Sequence, residues 1–293
     1  MFFYLLYKLG YFLSNALPLE GAYRLAEKCS DLQYALGARD REAVVQNLSI
    51  VLKKDIKECR ILASKVFRSF GMYLVDFFRM SRLTREEIDK RVRIIGLENI
   101  DRALKKNKGV IVLTCHIGNW EMGGVIMGTL GYDISAVVLV HKHKNINNFF
   151  IRQREEKGLK VIAVNSIMKR CISTLSNNGI LALAGDRDFT NSGVKLNFFG
   201  IPTSIPKGPA ALSLKTGAPV VPGFLIREGR SNYKFIFGSP IEVELRPGVS
   251  KDETVKKATE IFVSAMEDCI RQYPEQWLVF RRFWEDTAGA VVL

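Results

Sequence analysis

From Val92 onward the chain is punctuated by short apolar runs, VRIIGLENI, GVIVLTC, ISAVVLV, KVIAV, ILALAG, VVPGFLI and KFIFG, each bounded by Gly, Asn or Asp. Runs of this length and boundary chemistry read as buried strands, and helical stretches lie between most of them. Strand and helix in alternation predict an α/β fold with a central, mostly parallel sheet flanked by helices. Between Gly21 and about Asp89 the texture differs: AYRLAEKCSDLQYAL, EAVVQNLSIVL and ECRILASKVFRSFGMYLVDFFRM carry the apolar spacing of amphipathic helices. A helical N-terminal region therefore precedes the sheet. Near the other end, Ser250 as cap with Asp252 and Glu253 in the first turn predicts a helix over Lys251 to Tyr273. With 293 residues, 47% of them hydrophobic, the chain buries a full core, which excludes a disordered or fibrous protein.

The first seventeen residues, MFFYLLYKLGYFLSNAL, carry one charged side chain, Lys8, and no acid appears before Glu20. As a helix this segment is roughly 26 Å long, short of the ~30 Å hydrocarbon core of a bilayer. Tyr4, Tyr7 and Tyr11 recur at helical spacing, and with Lys8 they point to a helix lodged at a membrane with its rings at the headgroup level. The alternative is a terminal helix docked on the core. Lys8 falls inside the apolar run rather than ahead of it, unlike a signal peptide, and no later stretch is long enough for a second span. The expected organisation is a membrane-associated helix over residues 1–18 and a single domain over 19–293, helical over 19–90 and α/β over 91–293.

Forty-three Lys and Arg against 30 Asp and Glu leave a net charge of +13, which attracts phosphates, anionic lipid or an acidic protein. Nucleic acid is not the expected partner, because the sequence holds no helix-turn-helix, zinc-finger or ribonucleoprotein motif. The five cysteines are scattered, with no Cys-x-x-Cys pair, as in a reducing compartment. His141 and His143 alternate as on a strand face, but further ligands are not evident and no metal is expected. Between Lys142 and Arg170 stand eight basic and two acidic residues, nearly half of the whole surplus; a phosphate or carrier-protein contact competes there with a solvated helix face.

Chemistry concentrates in GVIVLTCHIGNWEMGG, where a buried strand gives way to a helix. On one continuous helix His116 and Glu121 lie roughly 140° out of phase and do not meet. With His116 at the strand end and Gly118 and Asn119 in the turn, Glu121 falls in the first helical turn, from which it can fold back onto the imidazole. That pairing is a base with an orienting carboxylate, suited to taking a proton from a hydroxyl. Cys115 points to the opposite strand face from His116 and belongs to the core. A hydrogen-bonded structural histidine is the plain alternative for His116. Asp186 and Arg187 follow ILALAG, just past a strand's carboxyl end, where sites gather; a loop salt bridge or a helix cap is the structural reading of both. Lys207 and Gly208 open a helix whose N-terminus suits an anion, without the Gly-Lys-Ser or Gly-Lys-Thr ending of a phosphate loop.

His116-x-x-x-x-Glu121, GDRDF from Gly185 to Phe189, VKLNFFGIPTSIPKGPAALSLKTGAPVVPGF from Val194 to Phe224, and YPEQWLVFRRF from Tyr273 to Phe283 occur in that order. Together they resemble the bacterial lipid A biosynthesis acyltransferases, the late lauroyl and myristoyl transferases, within the wider lysophospholipid acyltransferase group. The resemblance implies transfer of a fatty acyl chain from the thioester of acyl carrier protein to a hydroxyl of a membrane glycolipid at the cytoplasmic face of the inner membrane, with no cofactor. It implies His116 and Glu121 as the catalytic pair. The tetrahedral oxyanion of acyl transfer needs fixed donors; Arg152 and Arg154, in a segment similar to the family's arginine-bearing one, are candidates, and Asp186, Arg187 and Lys207 are further oxyanion or phosphate candidates. Phe198 and Phe199 are expected to shape the acyl channel. Two neighbouring readings stay open: an enzyme of the same chemistry acting on a lysophospholipid or a phosphatidylinositol mannoside, and a catalytically inactive, basic, membrane-bound interaction module.

Overall fold

The structure, a computed structural model, describes residues 2–139, 143–163, 167–189 and 192–284. Its first part is helical: α1 (Phe2–Ala16), α2 (Leu19–Leu36), α3 (Ala38–Leu52), α4 (Ile56–Arg79) and α5 (Arg85–Arg91). The longest, α4, starts where the Asp55 carboxylate accepts from the Glu58 amide at 2.9 Å, satisfying a backbone donor that has no partner inside the helix. It buries Cys59, Ala63, Val66 and Phe67 along one face, at the spacing of an amphipathic helix.

The α/β part follows as β1 (Val92–Ile95), α6 (Leu97–Leu104), β2 (Val110–Thr114), α7 (Trp120–Thr129), β3 (Ile134–Val138), α8 (Lys144–Glu155), β4 (Leu159–Ala163), α9 (Ile167–Ser176), β5 (Ile180–Ala184), β6 (Val194–Phe198), β7 (Ile201–Ile205), α10 (Gly208–Thr216), β8 (Val220–Glu228), β9 (Asn232–Phe237) and α11 (Lys251–Gln272). Among the described residues the main sheet has seven strands in the order β1-β9-β8-β2-β5-β3-β4. All its pairings are parallel except β8 with β9, as the strand–helix alternation predicts.

Strand β2 shows why the sheet needs helices on both faces. Val110 and Val112 pack with Met122, Val125 and Ile126 of α7, whereas Ile111 and Leu113 pack with Leu175 of α9, Leu212 of α10 and Phe262 of α11. Each fully buried side chain of this size contributes roughly 1.5–3 kcal/mol from water exclusion, so a polar residue on either face of β2 is costly.

Two details depart from the sequence reading. VRIIGLENI is not one strand: Gly96 takes a left-handed φ of 77°, and a Cβ there would lie 2.2 Å from the Phe237 carbonyl, so the chain turns and LENI begins α6. The segment from Val194 to Ile205 forms a separate antiparallel hairpin, β6–β7, outside the main sheet. The terminal helix α11 starts at the expected place, with the Ser250 hydroxyl accepting from the Glu253 amide at 3.1 Å.

Helix α1 is turned the other way from the expectation. Tyr4, Tyr7 and Tyr11 face the core cluster rather than outward, Tyr7 edge-on to Phe150 at 5.3 Å and Tyr11 edge-on to Phe149 at 5.7 Å. Edge-to-face pairing with α8 and α4 satisfies the rings inside the protein. The outward face is made instead by Leu5, Leu6, Leu9 and Phe12, the last of them 65% exposed. Among the described residues no helix is long and apolar enough to cross a membrane.

Candidate active site

Two adjacent parallel strands bring the site together. β2 and β5 pair in register, Thr114 opposite Ala184, and two residues past each of these ends stand His116 and Asp186. The ladder continues one step further through the Gly185 amide, which donates to the Thr114 carbonyl at 2.8 Å. His116 Nδ1 then lies 2.7 Å from Asp186 Oδ1, while the His116 amide donates to Asp186 Oδ2 at 3.1 Å and Trp277 Nε1 donates to the same oxygen at 3.3 Å.

Asp186 is completely buried, and burial by itself would push its carboxyl up. The hydrogen bonds from the His116 ring and amide and the electrostatic influence of His116 and nearby Arg187 outweigh that and hold it below the usual carboxylate range. An ionised Asp186 accepts a proton-bearing Nδ1, which fixes the imidazole with Nε2 as the lone-pair nitrogen. His116 Nε2 has no hydrogen-bond partner among the described residues, and the side chain is 16% exposed. The His116 carbonyl accepts from the Leu278 amide at 2.8 Å, so the segment with Trp277 clamps the histidine from a second side.

The turn after His116 forms as the sequence suggests. Gly118 has φ 59°, and a Cβ there would sit 2.0 Å from the Leu225 carbonyl, so the backbone lies directly on β8. Asn119 caps α7 through its side-chain oxygen, which accepts from the Met122 amide at 3.1 Å. The expected partnership of Glu121 with the His116 ring is corrected by the structure. Glu121 is engaged at both oxygens by Arg154, at 2.6 Å to Nε and 2.6 Å to Nη2, and the planar guanidinium outcompetes an imidazole for a carboxylate within reach. Arg154 is 7% exposed and lies over the rings of Phe77 and Phe150. Burial alone would lower the Arg154 pKa, but Glu121 raises it above the ordinary value, so the guanidinium stays charged. Arg152 is a surface residue, 77% exposed and paired with Glu156 one turn along α8.

The other expected residues fall in different places. Asp186 is not an oxyanion or phosphate ligand, since a carboxylate only accepts and its oxygens are taken by three donors. Arg187 stacks over Phe189 at 4.9 Å, and its buried Nε has no hydrogen-bond partner. Lys207 is exposed at the N-cap of α10. Phe198 and Phe199 are buried in an aromatic cluster with Trp277, Phe283 and Trp284. His141 lies outside the described residues, His143 is exposed, and no metal-binding group of His, Cys, Asp or Glu occurs among the described residues.

A buried hub supports α7 from below. Asp76 of α4 accepts from Tyr23 at 2.5 Å, from Asn119 at 3.3 Å, and from Arg227 and Tyr233. Four donors on one carboxylate join α2, α4, the α7 cap and the β8–β9 ribbon. No sequence motif announces this residue, which sits in the last turn of α4 within an apolar run.

A profile of the bacterial lipid A biosynthesis acyltransferases matches residues 1–286. The chain belongs to that family. Among its relatives, the phosphatidylinositol mannoside acyltransferase of Mycolicibacterium smegmatis is 26% identical over 86% of this chain and 82% of that protein. The lipid A biosynthesis palmitoleoyltransferase of Escherichia coli K12 is 27% identical over 83% and 78%. The phosphatidylinositol mannoside acyltransferase of Mycobacterium tuberculosis H37Rv is 32% identical over 55% of this chain, a match that spans about half (53%) of that relative's length. Within a lipid A acyltransferase family chain, the His116–Asp186 pair at the carboxyl ends of adjacent strands is the arrangement with the chemistry of a general base.

Proposed function

We propose that this chain is an acyltransferase that moves a fatty acyl group from the thioester of acyl carrier protein to a hydroxyl of a lipid A precursor or a related phosphate-bearing membrane glycolipid. The observation that carries the reading is the His116 imidazole held at Nδ1 by buried Asp186, with Nε2 left for substrate. In the reaction, Nε2 takes the proton of the acceptor hydroxyl as its oxygen attacks the thioester carbonyl. The tetrahedral oxyanion collapses, the C–S bond breaks, and the imidazolium returns its proton to the departing thiolate. Asp186 orients the ring and stabilises the imidazolium without itself taking the proton, as an aspartate does in a serine-protease triad.

Glu121 acts in this account through Arg154, fixing the start of α7 beside His116 and keeping a cation near the developing oxyanion. Two of the five Arg154 N–H groups are spent on Glu121, which leaves others for substrate. Arg187, with its unpartnered Nε beside Asp186, is the candidate for an acceptor phosphate.

In this reading the enzyme works at the cytoplasmic face of the inner membrane, and the exposed Leu5, Leu6, Leu9 and Phe12 of α1 support a helix that lies on a bilayer surface. Relatives named for both acceptor classes, phosphatidylinositol mannoside and lipid A biosynthesis, support keeping both acceptors in view. Incubating the enzyme with labelled acyl carrier protein and each acceptor, read by mass spectrometry, decides between them. Acylation of lysophosphatidate alone rejects both.

A further inference from the structure

A cavity of about 540 Å³, within the range of ligand pockets, opens where α1 ends and α2 begins. Four cations line it: Arg79 and Arg82 from the end of α4 and the turn after it, and Lys90 and Arg91 from α5. Its acids are all engaged: Glu20 by Arg230 at 3.2 Å, Glu87 by Arg91 at 3.1 Å, and Asp76 by Arg227 in the buried hub. Among the described residues, Arg79, Arg82 and Lys90 have no carboxylate within ion-pair distance. Arg79 donates to the carbonyls of Ser14 and Leu17, and Arg82 donates to that of Asn15 at 2.8 Å, all neutral acceptors at the carboxyl end of α1. Burial, then the charge of Arg82, lowers the pKa of Arg79. Arg91 Nε, though near Glu87, is buried without an aligned hydrogen bond.

The cavity's place in the fold identifies the source of the anion. The apolar outer face of α1 runs through Leu5, Leu9 and Phe12 and stops within one turn of the carbonyls that Arg79 and Arg82 hold. A helix lying in a bilayer interface brings its flanking cations to the headgroup level.

We propose that this cavity is a binding site for the phosphate of an anionic membrane phospholipid, formed by Arg79, Arg82, Lys90 and Arg91 and separate from the acyl-transfer site. The site does not depend on His116, so its test stands apart from that of catalysis. Arg82 and Lys90 are exposed, and their replacement leaves the core intact.

The test measures binding of the full chain to phosphatidylglycerol–phosphatidylcholine vesicles at fixed salt. It compares wild type with Arg82→Gln/Lys90→Gln and with a control of equal charge, Lys251→Gln/Lys256→Gln on α11. The cavity pair is expected to lose roughly twenty-fivefold in affinity, about fivefold per cation, and the control less than about twofold. Arg82→Lys/Lys90→Arg, which keeps the charge, is expected to retain binding. Equal losses in both glutamine pairs would reduce the attraction to general charge and overturn the site. Inorganic phosphate raising the melting temperature of wild type but not of the cavity variant, with vesicle binding unchanged, would assign the cavity to a soluble phosphate instead. Turnover on detergent-dispersed substrates is expected to be unchanged in the cavity variant; a fall in step with vesicle binding would place these cations in the acyl-transfer site and overturn the separation.

Discussion

At the scale of single residues, the proposed mechanism divides the work between the imidazole and its carboxylate by protonation state. Asp186→Asn keeps the shape but presents an amide to Nδ1, which stabilises the wrong tautomer and removes the charge that supports an imidazolium. Turnover is expected to fall on the order of a thousandfold or more with the circular dichroism spectrum unchanged. The same carboxylate links stability to pH. Its pKa is depressed in the folded protein, so its contribution is present above the unfolded value of about 3.9 and is lost as pH falls through the lower folded value. Acid titration of the wild type is therefore expected to show a loss of stability below about pH 4 that is smaller in Asp186→Asn. Glu121 answers to a different physics. Removing it leaves Arg154 buried and unpaired, and Glu121→Ala is expected to cost about 3–5 kcal/mol in denaturant unfolding as well as activity. Unchanged stability would mean that Arg154 finds another partner or water.

At the scale of elements, what the sequence made legible followed local rules, and what it hid followed contacts between distant segments. The Ser250 cap of α11 and the Gly118–Asn119 turn ahead of α7 depend on neighbours in the chain, and both appear where the residues announce them. Glu121 was a reasonable partner for His116 by spacing, but its carboxylate is claimed by Arg154, 33 residues away. Helix α1 is the clearest case of a pattern with two solutions, since its tyrosine face and its leucine face are both apolar. Packing on Phe78, Phe149 and Phe150 selects the tyrosines for the inside. The outward face carries the prediction: Leu5→Ser/Leu9→Ser/Phe12→Ser is expected to release the protein from membranes while changing its unfolding free energy by no more than about 1 kcal/mol, because these side chains touch water in the folded chain. Retention of the triple variant on membranes would show that another surface makes the contact.

At the scale of the whole molecule, the sheet order makes the site. β2 and β5 are separated by 65 residues of chain between Thr114 and Ile180, yet they are neighbours, and the equal two-residue overhang sets His116 beside Asp186. A signal for this pair exists in the sequence: GVIVLTCH and ILALAGD both end an apolar strand with a polar residue at the same offset. Reading it requires knowing that the two strands are adjacent, which strand–helix alternation does not specify. The aromatic cluster of Phe198, Phe199, Trp277 and Phe283 was likewise visible only as motifs, because its members come together from the β6–β7 hairpin and the C-terminal segment. The direct test of the account is the rate of acyl transfer from acyl carrier protein by folded His116→Ala, measured by mass spectrometry of the glycolipid product. A loss of about a hundred to ten thousand fold relative to wild type is expected from removal of a general base; an unchanged rate in a folded variant would contradict it.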